Sequence, residues 1–157
     1  MGVTLIGLYL CLVSAAFIYC LAWLALGSPP EHLTPVLLGL KCALTGGLGG
    51  CFYCLRAIYL NYSVRRQWSV DWYPWYIIRP VVSAGSGVVA YLLLKAGLLI
   101  LESGTRQDAS DLGFYALSFI AGLNVDNFIR KIESVAQSIW GIEKSRTSSD
   151  GSKDKTP

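Results

Sequence analysis

The sequence predicts an all-α membrane protein with four transmembrane helices plus an amphipathic C-terminal helix. Three observations lead to this class. Hydrophobic residues make up 54% of the 157 residues and charged residues only 15%, which is too little charge to cover a soluble domain of this length. Apolar stretches recur at the length of a bilayer crossing, and lysine and arginine gather in two of the regions that flank those stretches.

The first span covers about residues 3–26. No charged side chain occurs between Val3 and Gly27, a stretch longer than the ~20 residues that a crossing needs. A secretory signal peptide is the alternative, because residues 25–27 resemble a cleavage site. However, no lysine or arginine precedes the apolar run, which is also longer than the hydrophobic part of a signal peptide. We therefore expect this segment to stay in the membrane.

The second and third spans cover about residues 36–60 and 80–101. Pro35 and Pro80 stand at their entries, where proline suits the first helical turn because its missing N–H would be unpaired there. The connector between them is predicted to form a short interfacial helix that ends at Pro74. Its rings form an aromatic belt in the headgroup layer or, alternatively, a site for a lipid headgroup or a partner. They are Tyr62, Trp68, Trp72, Tyr73, Trp75 and Tyr76.

The fourth span covers about residues 112–132. Its apolar run at 112–123 is short for a crossing, so a re-entrant segment is the alternative. The positive-inside rule favours a full crossing. The loops at 27–35 and 102–111 contain a single basic residue, Arg106, and are therefore expected to face outward. The other basic residues that flank the spans lie between the second and third spans or at and beyond the end of the fourth: Arg65, Arg66, Arg79, Arg130, Lys131, Lys144, Arg146, Lys153 and Lys155. Both regions lie in the cytoplasm, together with both termini, only if four segments cross.

Small residues predict where the helices pack. Gly39, Gly46 and Gly50 share one face of the second span, and Gly87 lies in a small-residue stretch of the third. Such faces let two helix backbones approach closely in a membrane. The alternative is that the glycines at 46–50 form a hinge or a broken helix that exposes carbonyl groups.

Two lysines lie inside the predicted spans, near their outer ends. Lys41 follows Pro35 by six residues and Lys95 precedes Leu101 by six, so both lie roughly 9 Å below the outer edge. In an oligomer they could form a basic ring that lines a pore. Alternatively, both side chains extend to the outer headgroups.

An intramembrane ion pair is predicted near the inner edge. Asp126 lies in an apolar stretch of the fourth span, and Arg56 lies at a matching depth in the second. Charges within a membrane usually find a partner. We therefore expect Arg56 and Asp126 to pair with each other.

An oligomerisation helix is predicted after the fourth span. Apolar residues recur close to heptad spacing up to residue 142, among them Val125, Phe128, Ile132, Val135 and Ile139. The helix either joins copies of the chain or lies along the membrane surface. We expect residues 1–142 to form the membrane domain with this helix, and the polar tail at 143–157 to be disordered.

Enzymatic chemistry has little support in this sequence. The five cysteines all fall inside predicted spans, His32 is the single histidine, and no nucleophile–base set or pair of carboxylates appears. We expect no catalysis, no cofactor, no metal site and no nucleic-acid partner.

The region from Arg79 to Ile139 resembles small four-span bacterial membrane proteins. It combines an Arg-Pro pair, a small-residue helix, a charged turn and the segment Phe119-Ile120-Ala121-Gly122-Leu123. The layout is also similar to membrane subunits of anti-phage systems of the Kiwa type. This resemblance implies the bacterial inner membrane and an oligomeric channel or pore in phage defence. The alternatives are a scaffold that recruits a soluble cytoplasmic partner through its C-terminal helix, or a holin-like protein.

Overall fold

The computed structural model describes residues 2–27, 36–66, 68, 70–97 and 111–141, and nearly all of these lie in helices. The helices are α1 (Gly2–Leu26), α2 (Leu37–Ile58), a π-helix (Tyr59–Val64) that continues α2, a 3₁₀ turn (Val70–Trp72), α3 (Tyr73–Lys95), α4 (Asp111–Leu123) and α5 (Val125–Trp140). The predicted outer loops, apart from Gly27 and Asp111, and the predicted disordered tail lie outside the described residues.

Three of these helices are long and apolar enough to cross a membrane: Gly2–Leu26, Leu37–Val64 and Tyr73–Lys95. The prediction of an all-helical protein is confirmed for the described residues, and these three helices are candidate membrane spans by their length and composition. A fourth crossing passes the same criterion only if α4 and α5 count together as one broken span. Helix α4 alone has 13 residues, or about 20 Å, which is short of the ~30 Å hydrocarbon layer.

The predicted span at 112–132 is not one continuous helix. Helix α4 ends at Leu123, Asn124 forms a turn, and α5 begins at Val125. Asparagine has a low helix propensity because its side chain competes for backbone hydrogen bonds. The chain divides at the same point into two compact units, Met1–Asn124 and Val125–Pro157. The bundle of α1 to α4 therefore forms one unit and α5 begins the other.

Helix α3 begins earlier and ends earlier than predicted. Its first turn contains Pro74, so this proline starts α3 and does not end an interfacial helix, and Pro80 lies inside α3. An internal proline removes one helical hydrogen bond, which membrane helices tolerate. The helix ends at Lys95 and not near Leu101, because Gly97 adopts a left-handed conformation, with φ of 71°, that closes helix ends.

Helices α1 to α4 alternate in direction. Gly39 faces the Tyr91 ring and Gly50 faces Ser83, so α2 and α3 are antiparallel. The Ser118 hydroxyl of α4 donates to the Gly87 carbonyl of α3 at 3.1 Å. We call the end where α2 finishes and α3 starts the arginine end, and the opposite end the lysine end.

Glycines let the backbone of α2 touch two helices at once. A Cβ atom on Gly46 would lie 2.7 Å from the Ser83 carbonyl oxygen and 2.8 Å from the Gly87 Cα atom, both in α3. On the neighbouring face of α2, Gly46 and Gly49 meet the backbone of α4 around Gly122. Helix α2 is therefore the centre of the bundle.

Candidate functional site

Arg79 is the most deeply buried cation that the structure describes. Its side chain is 6% exposed, and its guanidinium carbon lies 4.8 Å from the centre of the Tyr53 ring and 5.1 Å from that of Trp75. A guanidinium over aromatic faces gains cation–π attraction, most strongly where water is excluded. The sequence prediction of Arg79 as a connector residue before the third span is wrong, because α3 starts six residues earlier.

Aromatic rings surround this arginine and form part of the core at the arginine end. Trp68 stacks on Tyr76 at 5.6 Å between ring centres, and Trp75 meets Tyr76 edge-on at 5.0 Å. Tyr76 is fully buried and packs in one cluster with Ile6 and Leu10 of α1. The cluster therefore packs α1 against α3. The sequence predicts these rings only as a belt or binding site in the headgroup layer. Trp72 and Tyr62, in contrast, are exposed and remain available to an interface.

A basic cleft opens beside this cluster, where α2 passes into the π-helix. Its volume is about 250 Å³, and it is lined by Tyr53, Arg56, Ala57, Leu60, Asn61 and Arg65. Tyr53 also contacts the buried arginine, because the Arg79 guanidinium lies over the Tyr53 ring. The sequence reasoning missed this cleft because nothing in the spacing of these residues predicts a π-helix.

The π-helix sets the geometry of the cleft. The Arg65 N–H donates to the Leu60 carbonyl, five residues back, at 2.8 Å. Helical turns of this width are rare and occur frequently at functional sites. Arg66 follows with φ of 54°, a left-handed conformation that is uncommon outside glycine and reverses the chain direction locally. Asn61 and Arg65 consequently face the same cleft as Tyr53 and Arg56 of α2.

The two lysines predicted to line a pore both lie at the lysine end. The Lys95 ammonium donates to the Tyr91 hydroxyl at 3.1 Å, one turn back along its own helix, and is exposed. Tyr91 also packs against Gly39, two residues before Lys41, so both lysines flank the same contact between α2 and α3. Lys41 is half-buried. In the antiparallel register, Lys41 lies two residues from Gly39 toward the arginine end, whereas Lys95 lies four residues from Tyr91 toward the opposite end. Both alternatives for their role stay open.

Arg56 and Asp126 belong to different compact units, and their pairing stays a prediction. Arg56 is exposed and lines the basic cleft. Asp126 lies in the first turn of α5, where the positive end of the helix dipole favours a carboxylate. Its carbonyl oxygen accepts a hydrogen bond from the Arg130 Nε at 3.3 Å. The sequence reasoning overlooked this local stabilisation, which follows from where the helix begins.

The residues predicted to drive oligomerisation occupy α5. Val125 is buried, and Phe128, Ile132 and Val135 are partly buried. The polar residues Arg130, Lys131 and Gln137 are exposed. The side chain of Ile139 lies outside the described part of the structure.

The five cysteines, all in the described helices, form no disulfide. Cys42, Cys51 and Cys54 are buried free thiols, and Cys11 and Cys20 are exposed on α1. No group of three or more histidine, cysteine, aspartate or glutamate side chains that could hold a metal occurs within 2–27, 36–66, 70–97 and 111–141.

The arrangement is therefore a membrane-type bundle with a buried, ring-stacked arginine and a basic cleft at one end and two lysines at the other. When the chain was compared with models of protein families, with curated proteins and with solved structures, none of them matched it.

Proposed function

We propose that this protein is a homo-oligomeric scaffold of the membrane. The bundle anchors each copy in the bilayer. Helix α5 joins the copies, and the joined helices bind a soluble partner. The observation that carries this proposal is the closed core of the bundle. Helices α2, α3 and α4 touch at the level of their backbones, which leaves no room between them for a water-filled path.

Two hydroxyl groups of the bundle donate to carbonyl groups one turn back in their own helices. The Thr45 hydroxyl donates to the Lys41 carbonyl at 2.7 Å, and the Ser86 hydroxyl donates to the Val82 carbonyl at 3.1 Å. A conduction path needs a row of polar or charged groups along a pore. A core that is closed at the level of the helix backbones suits an anchor better than a pore within one subunit.

The outer surface of the bundle is apolar on every helix. Large exposed side chains include Leu8, Leu12 and Ile18 on α1, Ile77, Val81 and Leu92 on α3, and Ile120 on α4. A large exposed apolar surface indicates contact with lipid or with another protein. This surface fits acyl chains and supports the assignment of the bundle to the membrane interior.

We expect the double change Ile132→Asp and Val135→Asp in α5 to dissociate the assembly without preventing membrane insertion. Aspartates at these positions remove the apolar contacts between the α5 helices of two copies, and their carboxylates repel one another. Light scattering or native mass spectrometry in mild detergent would measure the subunit count. The control is Arg130→Asp with Gln137→Asp, which places two aspartates at exposed positions of α5. An unchanged subunit count in the first variant would mean that α5 lies on the membrane surface.

A pore between subunits is the second candidate, favoured by the presence of both Lys41 and Lys95 in the half of the bundle at the lysine end. Lysines from several copies would select anions. The scaffold proposal predicts no conductance above that of protein-free planar bilayers. Anion current that falls after Lys41→Gln and Lys95→Gln would instead establish the pore. A role in phage defence, which the resemblance implies, is a proposal that fits either candidate.

A further inference from the structure

The basic cleft at the arginine end has the composition of an anion site. Arg56 and Arg65 line it together with Asn61 and Tyr53. Two arginines lie together here without an acidic side chain in the lining. Like charges gathered in one cleft attract an anion, which lowers their mutual repulsion.

The donors match a phosphate group. Each guanidinium is a planar fork that binds two oxygens of a phosphate at once, and hydrogen bonds of this charged kind are stronger than neutral ones. The Asn61 amide adds a further donor or acceptor. The cleft volume of about 250 Å³ is far larger than the ~10–15 Å³ that one water molecule needs on the same measure, so a phosphate-sized group fits.

The surroundings point to a lipid as the source of that phosphate. Ala57 and Leu60 give the cleft an apolar wall, and Tyr59, Tyr62 and Val64 are exposed on the same turns. Exposed tyrosine beside arginine is typical of the boundary between acyl chains and headgroups. We propose that this cleft binds the phosphate of an anionic phospholipid headgroup, whose acyl chains lie along the apolar surface of α2.

The buried arginine supports the cleft from behind. Arg79 stacks on the inner face of the Tyr53 ring, and Trp75 contacts the same ring at 5.8 Å between centres. These contacts fix Tyr53, which forms part of the cleft wall. A rigid wall lowers the entropy lost when a headgroup binds. Arg79 therefore acts as a positioning residue for the cleft.

The test measures binding of short-chain phosphatidylglycerol to the purified full-length chain by native mass spectrometry. In a parallel arm, inorganic phosphate replaces the lipid. We expect saturable binding of the lipid and much weaker binding of free phosphate. Arg56→Gln with Arg65→Gln should weaken lipid binding by about tenfold or more, as expected for the loss of charged hydrogen bonds.

Two matched variants separate a built site from general attraction. Arg130→Gln with Lys131→Gln removes the same charge from α5, and we expect it to bind lipid like the unmodified chain. Arg56→Lys with Arg65→Lys keeps the charge but loses the planar fork, so its binding should also weaken. Unchanged binding in the glutamine variant, or an equal loss in the α5 variant, would overturn the proposal. Equal affinity for inorganic phosphate and for the lipid would overturn the lipid as the source.

Discussion

Replacing Gly46 with alanine is expected to destabilise the bundle by about 1–3 kcal/mol or more, the usual cost of overpacking a well-packed core. The added methyl group would lie 2.7 Å from the Ser83 carbonyl oxygen and 2.8 Å from the Gly87 Cα atom. Both are backbone atoms, so no side-chain rotation relieves the clash and α3 must move away from α2. The thermal unfolding midpoint in mild detergent would record the loss.

Gly85→Ala is the matched control for this change. Gly85 lies in α3, two residues from Gly87, and a Cβ atom there would meet nothing within 4 Å. Alanine has the higher helix propensity, so this variant should be as stable as the unmodified protein or slightly more stable. If both alanine variants were equally stable, the close packing of α2 on α3 would be contradicted.

Removing the side chain of Arg79 has the second largest expected effect. We expect Arg79→Ala to lower the free energy of unfolding by roughly 2–4 kcal/mol, because it leaves a cavity and removes two cation–π contacts. Arg79→Met should cost less, since it refills part of the volume and removes a charge that is expensive to bury. Denaturant or thermal titration of both variants would give this order.

Arg65→Ala provides the comparison for a cation that is exposed. It removes the same side chain from the same end of the protein, and its stability should stay close to that of the unmodified chain. Tryptophan fluorescence should shift in Arg79→Ala, because Trp75 loses its stacked partner, and should stay unchanged in Arg65→Ala. Equal effects of the two changes would show that the stacking of Arg79 contributes little.

The long apolar segments could be predicted from the sequence because hydropathy reports them directly. A charge-free stretch such as Gly2–Leu26 has few structures open to it other than a membrane helix. The position of Gly46 and Gly87 in small-residue faces was also readable, since a face follows from helical periodicity.

Features that depend on tertiary contacts could not be read in this way. Pro80 has the same local signature inside a helix as at its start, and the turn before it is helical where Tyr76 packs against α1 and against Cys54 of α2. Gly122 contacts Gly46, which lies far away in the sequence, so neither residue predicts the contact with the other. The basic cleft required the π-helix at Tyr59–Val64, in which the backbone hydrogen bonds reach five residues back and not four, and this shift leaves no pattern in residue type.

The central place of α2 has a consequence for biosynthesis. Helix α3 covers one glycine face of α2 soon after both have been made, whereas the face around Gly49 waits for α4, which is synthesised later. In a bilayer, acyl chains would fill that groove until then, and α4 would have to displace them to reach the backbone. The closing of the bundle would therefore be an exchange of lipid for a short helix, and a chain truncated before α4 would keep an open groove along α2.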